Sequence, residues 1–128
     1  GVETAHGAEE ALETARAVAR EIDSVAAITG PVDLVTDGAR VIRCNNGHPL
    51  LGSVTGTGCA ATAAIAAFNS ITSDSLEAAS AGLAFFGLAG EVAGARANSP
   101  GSFMVALLDA LYEITPEEFQ GKARLEEG

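Results

Sequence analysis

The sequence contains no Trp, one Tyr and five Phe, so aromatic rings can supply only a small part of any core. Gly numbers 15 and Ala is the commonest residue, which calls for an interior of small side chains with closely approaching backbones. Basic residues are scarce as well: seven Lys and Arg face 17 Asp and Glu, a formal charge of −10. That balance opposes binding to a phosphate backbone, which is driven by cationic side chains displacing counterions, and so no nucleic-acid partner is expected. A polyanionic ligand would have to be held by helix N-termini, by a metal ion or by cations from outside the chain. Two Cys, at 44 and 59, make neither a disulfide framework nor a zinc spacing, as expected for a reducing cytoplasm.

Residues 1–6 have neither the basic nor the apolar region of a secretory signal. The apolar stretches at 59–68 and 81–95 are short of the ~20 residues that cross a bilayer, or are broken by Glu91. A soluble cytoplasmic protein without membrane contacts is expected. The chain lacks an initiator Met and enters a helical pattern almost at once, which reads as a fragment of a longer domain.

Apolar positions 8, 11, 12, 15, 18 and 19 recur at helical spacing over residues 7–21, with acidic residues early and Arg16 and Arg20 late, complementing the helix dipole. Residues 24–29 are a short apolar run closed by Gly30 and Pro31, read as a buried central strand ending in a tight turn. The runs 33–36 and 40–43 flank Asp37-Gly38, a strong hairpin signal. From Cys44 to Ala95 the only charged residues are Asp74, Glu77 and Glu91, so most of this stretch must be buried. It contains two nearly all-apolar helices, expected at 62–70 and 78–97, with Asp74 near the cap of the second. Ser99-Pro100 opens a further helix with Phe103, Leu107, Leu108 and Leu111 on one face. Thr115-Pro116 then starts a short turn before a charged tail expected to fray. The fold class is α/β, with fewer strands than a doubly wound sheet requires.

The chemistry concentrates at Thr55-Gly56-Thr57-Gly58-Cys59, which opens straight into a helix and so aims unpaired backbone N–H groups at whatever lies in front. Gly56 and Gly58 let the backbone approach a phosphoryl group where a Cβ would collide. A bare glycine turn before a buried helix explains the pattern too. Gly56-x-Gly58-x-x-Ala61 also fits the dinucleotide fingerprint, but that motif requires a preceding strand and an acidic residue ending a strand ~20 positions on, and Asp74 falls between two helices. No Lys follows the glycines, which excludes a P-loop. Cys59, in the first helical turn, is placed either as a thiolate favoured by the dipole or as a small packing group. Cys44 reads as structural, and His48 as a loop-shaping residue with a second-rank claim on chemistry. Thr29 and Gly30 sit at a strand end, where open α/β sheets bind ligands.

Taken together, Thr29-Gly30-Pro31-Val32-Asp33, Val35-Thr36-Asp37-Gly38, Asn46-Gly47-His48-Pro49, Val54-Thr55-Gly56-Thr57-Gly58-Cys59 and Pro100-Gly101-Ser102-Phe103 through Tyr112 resemble, in order, the C-terminal half of hydroxyethylthiazole kinase. The resemblance implies a ribokinase-like fold of which residues 1–128 are the C-terminal part, the N-terminal half being absent. It implies transfer of the ATP γ-phosphoryl, with Mg²⁺, to the hydroxyl of 4-methyl-5-(2-hydroxyethyl)thiazole in thiamine salvage, by a homotrimer with its thiazole site between subunits. It places Thr29, with Gly30, at the ATP, Gly56 at the thiazole, and Gly56 through Cys59, including Thr57 and Gly58, at the transferring phosphoryl. Cys59 occupies the position of an Asp base in ribokinase relatives. The metal ligands and an ATP-binding Arg fall in the absent half, so no metal ligand is assigned here. A dinucleotide-binding oxidoreductase domain and a non-catalytic fragment that completes an oligomer remain the alternatives.

Overall fold

The computed structural model describes residues 2–128, with side chains from Gly7 onward. The first helix, α1 (Val2–Ile22), turns Ala15 and Ala19 into the protein and leaves Val18 and Ile22 exposed. Residues 1–6, read above for the absence of a signal, lie outside the described side chains. Three strands follow: β1 (Ala26–Ile28), β2 (Asp33–Thr36) and β3 (Val41–Cys44). A fourth, β4 (Leu125–Glu127), returns from the C-terminus, and the sheet runs β1-β2-β3-β4 with every pair antiparallel.

The expected hairpin is present, with Thr36 opposite Val41. Its loop is four residues, 37–40, one more than the expected strand bounds leave. Asp37 Oδ1 accepts from the N–H groups of Ala39 and Arg40 at 2.9 and 2.7 Å, while Thr36 Oγ1 accepts from Gly38 N–H at 3.0 Å and donates to Arg40 O at 2.7 Å. Those amide donors hold the Asp37 carboxyl below its usual range. Gly38 is required there, since its φ is +98° and a Cβ would press on the Arg20 side chain.

Two strand expectations need correction. Within this chain β1 is not central: among the described residues it pairs only with β2, and it is half-buried. The tail does not fray either. Residues 125–127 pair with β3, Arg40 Nε donates to Glu127 at 2.7 Å, and Asn45 N–H donates to Arg124 O at 3.0 Å. A three-residue strand containing two Glu carries no periodic signal, and its partners are remote in sequence.

The helical layer consists of α2 (Thr57–Asn69), α3 (Ser75–Arg96), α4 (Pro100–Glu113) and α5 (Pro116–Lys122). Asp74 caps α3, accepting from Leu76 and Glu77 N–H at 3.0 and 3.2 Å. Thr115 caps α5 in the same way through Glu118 N–H at 3.2 Å. Ser99 makes no side-chain capping bond to α4. On α4, Phe103, Leu107 and Ala110 are buried, whereas Leu108, expected on the same face, is exposed.

α3 is the central helix. At 22 residues it is longer than expected and, by length and composition alone, apolar enough to cross a bilayer, against the sequence reading. Its most apolar window is 67% buried inside the protein, which is how the core helix of a globular fold behaves. Four of its glycines explain the close packing. A Cβ on Gly82 would come within 2.7 Å of the Ile65 backbone in α2, one on Gly90 within 2.7 Å of Leu51, one on Gly87 would collide with the Asn46 carbonyl, and one on Gly94 with the His48 ring. The few aromatics sit at junctions: Phe68, Phe85 and Phe119 form a mutual triad with centroids 5.8 to 5.9 Å apart, tying α2, α3 and α5 together.

Candidate phosphoryl-binding site

The glycine turn becomes a site through what precedes and follows it. A single 3₁₀ turn over Pro49–Ser53 leads into Gly56, the N-cap of α2, whose φ of +93° is the left-handed conformation that disfavours a Cβ. The first bond into the helix runs from Ala60 N–H to Gly56 O at 3.0 Å. The amides of Thr57, Gly58 and Cys59 therefore precede the helical ladder and present the positive end of its dipole. Around Gly56 and Gly58 there is open space: a Cβ at either would meet nothing within 4 Å. Gly58 has ordinary helical backbone, so the conformational demand rests on Gly56, and only an incoming ligand would need Gly58 to lack a side chain.

In front of this turn lies a cavity of ≈ 600 Å³. Thr29, Gly30, Asp33, Thr57 and Gly58 give it a polar part, and Leu51, Leu83 and Phe86 an apolar part. Thr29, Gly30, His48, Thr57 and Gly58, all singled out in the sequence, thus share one space although nearly 30 positions separate Thr29 from Gly58. Cys59 and Gly56 are not in its lining. Cys59 is exposed in this chain. The packing cysteine is Cys44, fully buried, whose thiol is pushed up to about 11 by burial.

The side chain of Thr57 has a local task. Its hydroxyl is placed to donate to Leu51 O at 2.8 Å or Val54 O at 3.1 Å, which anchors the turn and leaves the amide as its group facing a ligand. His48 shapes the loop as expected: Nδ1 accepts from Leu50 N–H at 3.2 Å and the ring stacks on Phe103 at 5.6 Å.

Sequence reasoning passed over Asp33 and Asn46 as individual residues. Asp33 Oδ1 accepts from Gly30 N–H at 2.9 Å and so sets the turn after β1; burial raises its pKa, and the Gly30 bond partly offsets that. Asn46 is 3% exposed and borders the cavity. An Asn three residues before a Pro in a loop gives no hint of burial; its partners Glu91, Lys122 and Arg124 are far along the chain.

The dinucleotide alternative fails on context. A 3₁₀ turn, not a strand, leads to the glycines, and Asp74 caps a helix instead of ending a strand. What the arrangement can do is hold an anion at the α2 N-terminus beside a cavity large enough for a small organic group. Residues 1–117 match the hydroxyethylthiazole kinase family model. A hydroxyethylthiazole kinase of Desulfotalea psychrophila is 55% identical over 99% of this chain and 46% of its own length, and one of a Roseiflexus species is 49% identical over 100% and 47%.

The chain belongs to the hydroxyethylthiazole kinase family.

It spans about half the length of the curated relatives it matches. The solved structure of a hydroxyethylthiazole kinase protein from Pyrococcus horikoshii superposes with a TM-score of 0.87 at 42% identity, covering 95% of this chain and 48% of that one. The family's α/β fold is therefore the fold seen here, as the sequence implied.

Proposed function

We propose that this chain is the C-terminal part of a single kinase domain that moves the γ-phosphoryl of ATP to the primary hydroxyl of 4-methyl-5-(2-hydroxyethyl)thiazole in the cytoplasm, working as a homotrimer. The observation that carries this reading is the convergence of the open α2 N-terminus with Thr29 and Gly30 on one cavity. Thr29 and Gly30 contact the nucleotide, Gly56 faces the thiazole, and the amides of Thr57, Gly58 and Cys59 hold the transferring phosphoryl group. In the reaction the alcohol oxygen bonds to the γ-phosphorus while its bond to the β–γ bridging oxygen breaks, ADP departs and the hydroxyl proton is lost. Charge on the phosphoryl oxygens is met by fixed amide dipoles that need no rearrangement as the reaction proceeds. Cys59 orients the hydroxyl, whose proton is lost late, as fits a loose transition state.

Among the described residues no group of three or more His, Cys, Asp or Glu could hold a metal ion. The metal ligands and a charge-stabilising cation are assigned to the half of the kinase that the chain does not span. The test is a phosphoryl-transfer assay with Mg·ATP and the thiazole alcohol. Joined to an N-terminal half from a close relative, the chain should turn over, and alone it should be nearly inactive. Robust turnover by the isolated, mass-verified chain, or none by the assembled protein, would overturn the reading.

A further inference from the structure

One wall of the cavity is built from Asn46, Gly47 and His48, and the last eleven residues of the chain, beyond the family-model match, reach back to hold it. Asn46 Nδ2 donates to Glu91 Oε1 at 3.2 Å and to Lys122 O at 3.1 Å, and its Oδ1 accepts from Arg124 N–H at 2.7 Å. Gly47 N–H donates to the same Glu91 Oε1 at 3.0 Å. Arg124 closes the set, donating to Glu91 Oε1 at 2.6 Å and to Asn45 O at 2.8 Å. Glu91 is the one charged residue in the C-terminal two-thirds of α3 before Arg96, and its carboxylate carries two wall donors and one guanidinium. From behind, the wall is pressed on Gly87, where there is no room for a Cβ.

We propose that Glu91 and Arg124 are positioning residues for the nucleotide: acting through Asn46 and Gly47, they fix the cavity wall against which ATP binds. The proposal rests on the kinase reading of the cavity. Neither residue touches the ligand. Glu91 orients the wall by accepting from it, and Arg124 keeps Glu91 in place while tying the C-terminal tail to the loop. A buried amide or carboxamide stripped of its acceptor must find another arrangement, and the wall shifts with it.

The test compares Glu91→Ala, Glu91→Gln, Arg124→Ala and Arg124→Lys in the assembled protein, measuring the Kd for ATP by titration calorimetry and the KM for the thiazole alcohol. Exchange of the Gly47 amide hydrogen is followed separately in this chain. Glu91→Ala should weaken ATP binding on the order of tenfold, because the buried Asn46 loses an acceptor, and Arg124→Ala should weaken it less, because its guanidinium is half exposed. The alcohol KM should stay near its original value, and Gly47 exchange should accelerate. Glu91→Gln keeps an acceptor and should recover most of the affinity, as should Arg124→Lys. A merely structural role would lower thermal stability while leaving the ATP Kd of the folded variants unchanged, and that result overturns the proposal. Failure of the unmodified assembled protein to bind ATP would overturn the kinase reading with it, a result distinct from unmodified protein that binds and variants that bind equally well.

Discussion

Glycine serves two opposite ends in neighbouring helices. In α3, Gly82, Gly87, Gly90 and Gly94 are each pressed by α2, the 46–51 loop or the His48 ring, so the absent side chain is already replaced by other protein. At the start of α2, Gly56 and Gly58 have nothing within reach. The first set is explained by packing alone. The second is not, and we place the ligand in the space in front of it. The two cysteines repeat the contrast: Cys44, at the end of β3, is fully buried and Cys59 is exposed beside the glycine turn.

Substitutions can break this division in either region. The largest effect is expected at Cys59, where Ala should lower kcat of the assembled enzyme ~10²–10⁴-fold, the usual contribution of a positioned acid or base, while Asp retains activity. Neither change should move the unfolding midpoint, because the side chain is exposed. Wild-type kcat in both variants would remove the thiol from the chemistry. Next comes Gly87→Ala, which drives a Cβ into the Asn46 carbonyl and should cost ~3 kcal/mol of stability in denaturant titrations. An unchanged midpoint would show that the loop yields, and the contrast between the helices would lose its basis.

Gly56→Ala should destabilise by ~1–2 kcal/mol through backbone strain alone, with Gly56→Asn losing less because Asn tolerates the left-handed region. Equal losses for the two would mean that something other than φ is being measured. The last effect concerns Cys44 and is confined to alkaline pH. Its folded-state pKa, about 11, lies above the ordinary 9.0, so the buried thiol stays protonated where the unfolded one ionises. Its contribution is therefore complete below pH 9.0 and disappears as pH rises toward about 11. Unfolding free energies measured across that window should fall less steeply in Cys44→Ala than in the original chain, and parallel slopes would contradict the assignment.

Much of this was legible before the structure. The Asp37-Gly38 hairpin, the Asp74 cap and the amphipathic spacing of α1 are local signals, and each led to the right element. What sequence could not convey were relations across distance. Nothing in residues 24–29 distinguishes an edge strand from a central one, since that depends on which strands lie beside it. Leu125 to Glu127 become a strand only because β3 offers an edge and Glu91 takes Arg124. The glycine turn stood out at once, yet the same residue type in α3 looked no different on the page. Only the atoms around each glycine separate packing from vacancy.

Gly58→Ala tests that separation most directly, because the backbone there is helical and the added methyl group enters open space. The folded chain should be as stable as the original or gain up to ~1 kcal/mol, as replacing a helical Gly does. Phosphoryl transfer by the assembled enzyme should fall ~10²–10³-fold, the loss typical of a disabled site for a developing anion. A folded Gly58→Ala protein with near wild-type kcat would contradict the account, because the space before α2 would then hold no phosphoryl group.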